Sequence, residues 1–144
     1  MTTGERRIRF VVVTAVVVFA YGTIVHVADL LGLRPALSGP TWLTVYFTSL
    51  VVFDPLSAVL LAMRRVSGLY LGCAVLLTDA AANAYANYVL DPATGITAGR
   101  IGQAVITLLA LALTASAPAM AAWFRRPAPP APGSPAPVDP GRGR

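Results

Sequence analysis

The stretch FVVVTAVVVFAYGTIVHVADLL, Phe10–Leu31, is apolar over almost its whole length. A helix needs about 20 such residues to cross the roughly 30 Å hydrocarbon core of a bilayer. The stretch follows a group of arginines but is longer than the apolar part of a signal peptide, and it lacks a clear small-residue cleavage site. It is therefore predicted to be an uncleaved first transmembrane helix.

Three more apolar runs follow, so the predicted spans cover residues 9–31, 41–63, 67–90 and 99–124. The composition agrees, because a chain that is 56% hydrophobic and 12% charged, with a mean hydropathy of +0.69, is typical of a membrane protein. The predicted fold class is all-α. We expect a polytopic membrane protein in which residues 9–124 form a four-transmembrane-helix bundle.

The arginines predict how this bundle is oriented. Arg34 and Arg100 lie near one set of helix ends, whereas seven lie near the other: Arg6, Arg7, Arg9, Arg64, Arg65, Arg125 and Arg126. Cytoplasmic loops carry the excess of positive charge. This predicts a multi-pass protein of the cell (plasma) membrane with both termini, residues 1–8 and 125–144, in the cytoplasm.

The connections between the predicted spans are short, so no soluble domain is expected between them. The tail from Pro127 is rich in proline and poor in apolar side chains, so it is predicted to be disordered with polyproline II character. Its few arginines are too sparse for a nucleic-acid footprint, and no nucleic-acid partner is expected.

Two redox classes are excluded by single residues. Cys73 is the only cysteine, which excludes an internal disulfide or a C-x-x-C pair, and His26 is the only histidine, which excludes a haem held by two histidines of one chain. The acidic residues and His26 have suitable ligand types for a metal but no diagnostic spacing. No metal and no cofactor are predicted.

A polar stripe crosses the third predicted span. At 100° per residue, Asp79, Asn83 and Asn87 fall within a sector of about 80°. Lipid does not solvate such a face, since an aspartate at a helix centre costs about 2.5–3.5 kcal/mol on insertion scales. The stripe is therefore predicted to face the bundle interior.

The other spans carry polar residues at similar depth. Asp54 lies near the centre of the second span, and the halves nearer the predicted cytoplasm are almost purely apolar. We expect a blind polar pocket in the extracytoplasmic half, with Asp54 and Asp79 at its floor, rather than a pore. The predicted ligand-binding residues are Asp54, Asp79, Asn83, Asn87, His26, Asp29, Gln103 and Arg100.

The candidate catalytic groups are Asp54, Asp79 and His26. Two carboxyl groups in close contact do not both ionise cheaply, so such a pair can exchange protons or bind a cation. His26, one turn before Asp29, has the arrangement of an oriented general base. The structural alternative is that these side chains only hold helices together, through interhelical hydrogen bonds of about 0.6 kcal/mol each.

The segments HVAD and FDP place Asp29 late in the first span and Asp54 within the second. This placement is loosely similar to that of the four-helix sterol isomerases, and the resemblance implies a site for a lipophilic amine or sterol floored by carboxylates. Small multidrug transporters share the four spans, but they carry a glutamate in the first helix, where this chain has VVVTAVVVFA.

Three functions stay open at this point. The first is a protein that binds or acts on a small amphipathic or lipophilic ligand. The second is an accessory or structural protein of a larger membrane complex, whose polar stripe meets a partner helix. The third is a proton-coupled small transporter that works as a homodimer, which the apolar inner halves disfavour.

Overall fold

A computed structural model describes residues 3–33 and 39–126 of the chain; Arg34 and the tail from Pro127 lie outside them. The described chain is all-helical, and the prediction of four helices long and apolar enough to cross a membrane is confirmed. The helices are α1 (Thr3–Leu30), α2 (Thr41–Ala62), α3 (Val66–Tyr85) and α4 (Ala98–Phe124).

Consecutive helices pack side by side, α1 on α2, α2 on α3 and α3 on α4, whereas α1 and α4 touch much less. Arg9, Arg64 and Trp123 line a common cleft, so the start of α1 and the ends of α2 and α4 lie at the same end of the bundle. We call this the arginine-rich end. The opposite end, where α1 ends, α2 begins and α3 is connected to α4, is the loop end.

Two glycines of α3 allow close contacts with other helices. A Cβ atom at Gly68 would overlap the backbone of Leu60 in α2, and one at Gly72 would press on the Phe19 ring of α1 at 3.1 Å. A G-x-x-x-G pair allows this approach because it presents no side chain to the neighbour. Gly68 therefore lets α3 pack closely on α2, and Gly72 makes room for the Phe19 ring of α1.

The third predicted span changes its winding before it ends. After Tyr85 the helix continues as a five-residue π-helical turn, Ala86–Leu90, in which the Asp91 N–H donates to the Ala86 carbonyl at 3.0 Å. Pro92 follows and has no N–H to continue the ladder. The sequence analysis treated this segment as ordinary α-helix, and π-turns of this kind are frequent at functional sites.

The start of α4 is capped by a threonine side chain. Thr97 precedes the helix in an extended conformation, and its Oγ1 accepts a hydrogen bond from the Arg100 N–H at 3.2 Å. A threonine at this position satisfies one of the four backbone donors that a helix start leaves open.

Candidate functional site

A cavity of about 400 Å³ lies between the four helices. Its lining is polar on the side of the loop end and apolar below. The polar side chains come from α1, α2 and α3, and they are His26, Asp29, Asp54, Asp79 and Asn83. Five of the predicted ligand-binding residues therefore line one cavity.

Asp54 forms one wall of this cavity. Its residue is only 5% exposed, and its carboxylate rests directly on Gly22 of α1, where a Cβ atom would overlap it. The next residue is Pro55, which lies inside α2 and donates no N–H to the Val51 carbonyl. The glycine thus makes room for a buried carboxylate where α1 crosses α2.

Asp79 is held in place by its own helix. The Asn83 amide Nδ2 donates to the Asp79 carboxylate Oδ1 at 2.9 Å and to the Asp79 main-chain carbonyl at 3.0 Å. Residues four apart lie one above the other on a helix, so the spacing itself places the amide at the carboxylate. Asn83 fixes the Asp79 side chain on the wall of the cavity that both residues line.

His26 lies between two carboxylates. Its Nε2 is 3.8 Å from Asp54 Oδ2, its Nδ1 is 4.0 Å from Asp29 Oδ2, and its ring stacks on Phe47 with centroids 5.8 Å apart. The stacking on Phe47 fixes the plane of the imidazole ring. In chemical terms the polar wall offers three carboxyl groups and one imidazole, which can relay a proton or bind a cation.

Three predicted site residues, Asn87, Gln103 and Arg100, do not line this cavity. The Asn87 Nδ2 donates to the Asn83 carbonyl at 2.8 Å, and its side chain lies against Gly99 of α4. The buried Gln103 donates from Nε2 to the Ala80 carbonyl at 2.8 Å. The Gln103 amide therefore ties α4 to α3, whereas the Asn87 amide is bonded within its own helix and packs against α4.

Arg100 closes the α3–α4 connection. Its Nε donates to the Asn87 carbonyl at 3.3 Å, while Nη1 and Nη2 donate to the carbonyls of Gly95 at 2.5 Å and Ala93 at 2.6 Å. Its guanidinium also lies 5.1 Å from the centroid of the Tyr88 ring. The Asn87 carbonyl belongs to the π-helical turn, and it accepts this hydrogen bond from the Arg100 side chain instead of one from a backbone N–H.

Replacing Arg100 is expected to loosen this connection. Arg100→Gln removes a donor set that serves three carbonyls, and we expect it to lower the free energy of unfolding by about 1–3 kcal/mol. The measurement is thermal unfolding of the purified protein in detergent, with Arg125→Gln, an exposed arginine just after α4, as the charge-matched control. Equal melting temperatures for the two variants would contradict the assignment.

The sequence analysis missed the side of the cavity that opens outward. Tyr21 of α1 and Val105 of α4 line it and are 68% and 50% exposed. Gly102 of α4 also lines it, and no atom lies within 4 Å of a Cβ built there. The gap between α1 and α4 is thus a mouth that faces sideways from the bundle axis, and apolar residues at such a mouth look like any outward-facing positions in a sequence.

A second void of about 150 Å³ continues the cavity toward the arginine-rich end. It shares Val18, Leu76 and Leu109 with the cavity. Its wall is formed by apolar side chains of α1, α3 and α4, together with Thr14 of α1. Together they form a groove that is polar toward the loop end and apolar toward the arginine-rich end. We call it the α1–α4 groove.

No protein family, no curated protein and no solved structure matches this chain. Within residues 3–33 and 39–126, no three histidine, cysteine or acidic side chains cluster closely enough to hold a metal ion.

Proposed function

We propose that the chain is a multi-pass membrane protein whose α1–α4 groove binds a small cationic amphiphile. The observation that carries this proposal is the groove itself, a cavity of about 400 Å³ with carboxylates on one wall and an apolar void of about 150 Å³ below it. Ligand sites are typically apolar clefts of this size with a few convergent polar groups.

The charge of the lining argues for a cation. Asp29, Asp54 and Asp79 line the described cavity together with His26, whereas no arginine does. Charge-assisted hydrogen bonds between ammonium and carboxylate groups are roughly twice as strong as neutral ones. A protonated primary or secondary amine supplies two or three N–H donors for such acceptors, and an anionic head group would be repelled by the carboxylates.

The shape of the groove argues for an amphiphile that enters from the side. The carboxylates lie toward the loop end, and the apolar void extends from Leu76 toward Phe10 along α1 and α4. A head group at Asp54 and Asp79 would leave an alkyl tail against apolar side chains, which gain about 25 cal/mol for each Å² removed from water. The mouth at Tyr21 and Val105 would then face lipid.

Binding is tested with amphiphiles that share one alkyl chain and differ in the head group. A long-chain primary alkylamine is expected to raise the melting temperature of the purified protein in a non-ionic detergent. The alcohol with the same chain should do so weakly, and the fatty acid should not. Equal stabilisation by the amine and the fatty acid would show that the carboxylates take no part in recognition.

The accessory function is the weaker candidate. The side-chain amides of Asn87 and Gln103 already donate to the carbonyls of Asn83 and Ala80, so few of their N–H donors are left for a partner helix. Co-purification of a stoichiometric membrane partner that leaves when Asn83 and Asn87 are changed to leucine would favour it. The transporter also has less support, because the void toward the arginine-rich end has an almost purely apolar wall.

The proposed orientation places the loop end outside and the arginine-rich end in the cytoplasm. In a Cys73→Ala background, Asp29→Cys is expected to react with a membrane-impermeant thiol reagent added to intact cells, because the Asp29 side chain is 42% exposed at the loop end. Arg125→Cys should react only after the membrane is permeabilised. The reverse pattern would invert the orientation.

A further inference from the structure

A separate cleft of about 430 Å³ lies at the arginine-rich end. It is bounded by α1, the end of α2 and the end of α4, and none of its lining residues lines the α1–α4 groove. Two arginines, Arg9 and Arg64, and Trp123 form its rim, while the valines of segment 12–17 and Ala62 form its wall. Cationic groups thus lie at the edge of an apolar surface.

Arg64, at this rim, has a backbone conformation that is unfavourable for a residue with a side chain. It follows α2 with a φ of 54°, the left-handed region that favours glycine. The Arg64 and Arg65 N–H groups donate to the carbonyls of Leu61 and Leu60 at 2.9 and 2.8 Å, the pattern of a Schellman helix end. An arginine in a glycine position points to a use for its side chain, whose guanidinium carbon lies 4.2 Å from the centroid of the Trp123 ring.

The lining of this cleft lacks a counter-charge. No acidic side chain of the described chain lines it, and the acidic residue nearest this end in sequence, Glu5, lies 3.4 Å from Arg126 Nη1. Guanidinium groups recognise phosphate oxygens by two parallel hydrogen bonds. A free phosphate would use the arginines alone, whereas a phospholipid would also cover the valines.

We propose that this cleft binds the head-group phosphate of an anionic phospholipid, through Arg9 and Arg64, with an acyl chain lying along the valines of α1. Basic pockets between membrane helices bind anionic head groups in this way. The proposal rests on the helices lying in a bilayer and is independent of whether the α1–α4 groove binds an amine. Its ligand differs in charge from the one proposed for the groove, and so the two can be tested apart.

Trp123 serves as the reporter. In a Trp42→Phe background, it is the only tryptophan, and lipids with brominated acyl chains quench a tryptophan that they touch. We expect phosphatidylglycerol with brominated chains to quench Trp123 at a lower lipid fraction than phosphatidylcholine with the same chains. Each arginine is expected to contribute about fivefold to this preference.

Three variants separate binding from folding. Arg9→Gln and Arg64→Gly should each lower the preference for phosphatidylglycerol about fivefold. Arg64→Gly should also keep or raise the melting temperature, because glycine suits the left-handed position. The control is Arg65→Gln, which removes the neighbouring exposed arginine, outside the cleft lining, and should leave the preference unchanged.

Three results would overturn the proposal. The first is equal quenching by the two lipids in the parent protein. The second is an equal loss of preference in Arg65→Gln and the cleft variants, which would reduce the effect to general surface charge. The third is displacement of phosphatidylglycerol by inorganic phosphate at matched ionic strength, which would identify a site for free phosphate. The proposal is supported if phosphatidylglycerol stays bound in the presence of inorganic phosphate and both cleft variants lose the preference for this lipid.

Discussion

Replacing Asp79 or Asp54 by asparagine is expected to weaken binding of a long-chain alkylamine about 10- to 100-fold. Each change removes one charge-assisted hydrogen bond, worth about 1.5–3 kcal/mol, and keeps the shape of the side chain. An asparagine at position 79 can still accept from the Asn83 Nδ2, so the yield of folded protein should stay near that of the parent. The measurement is a titration of alkylamine-induced stabilisation in detergent.

The control for these variants removes a carboxylate outside the cavity. Asp91 accepts from the Ala93 N–H in the α3–α4 connection and does not line the described groove, so Asp91→Asn should bind the amine as the parent does. Unchanged binding in both cavity variants would contradict the proposed function. Equal weakening in the control would reduce the effect to net charge.

Replacing Gly68 by alanine is expected to destabilise the contact between α2 and α3. The new Cβ atom would overlap the backbone of Leu60, which does not move aside as a flexible side chain would, so α2 and α3 must separate. Overpacking of this kind costs about 1–3 kcal/mol, and valine at the same position should cost more. The measurement is thermal unfolding or the yield of monodisperse protein after purification.

Gly102 provides the matched control, because a Cβ atom built there meets nothing within 4 Å. Gly102→Ala should match or exceed the parent in stability, since alanine favours helix by about 1 kcal/mol over glycine. A melting temperature for Gly68→Ala equal to that of the control would show that the α2–α3 contact is looser than described.

Much of this arrangement could be predicted from the sequence, because hydropathy fixes how many long apolar helices the chain makes and helical period fixes which residues share a face. Asp79 and Asn83 illustrate the success, since both line one cavity. Asn87 illustrates the limit. It shares their face on an ideal helix, but its side chain lies against Gly99 of α4, in a π-helical turn that no pattern in the sequence indicated.

Arg100 shows a second limit. It was predicted to bind ligand, yet its guanidinium donates to loop carbonyls whose positions depend on how the connection folds. The gap between α1 and α4 could not be predicted from the sequence either, because periodicity shows that a helix face is apolar but not which neighbouring helix covers it. Both properties depend on contacts between segments far apart in the chain.

The sideways mouth between α1 and α4 has a consequence for how any occupant would be delivered. A compound that reaches Asp54 from the hydrocarbon is first concentrated by partitioning, so occupancy would follow its mole fraction in the lipid rather than its concentration in the buffer. Adding protein-free vesicles without changing the sample volume would lower the mole fraction of the amine in the lipid, and the amine would then dissociate from the site. Poorly partitioning amines would be excluded however well their head groups match the carboxylates.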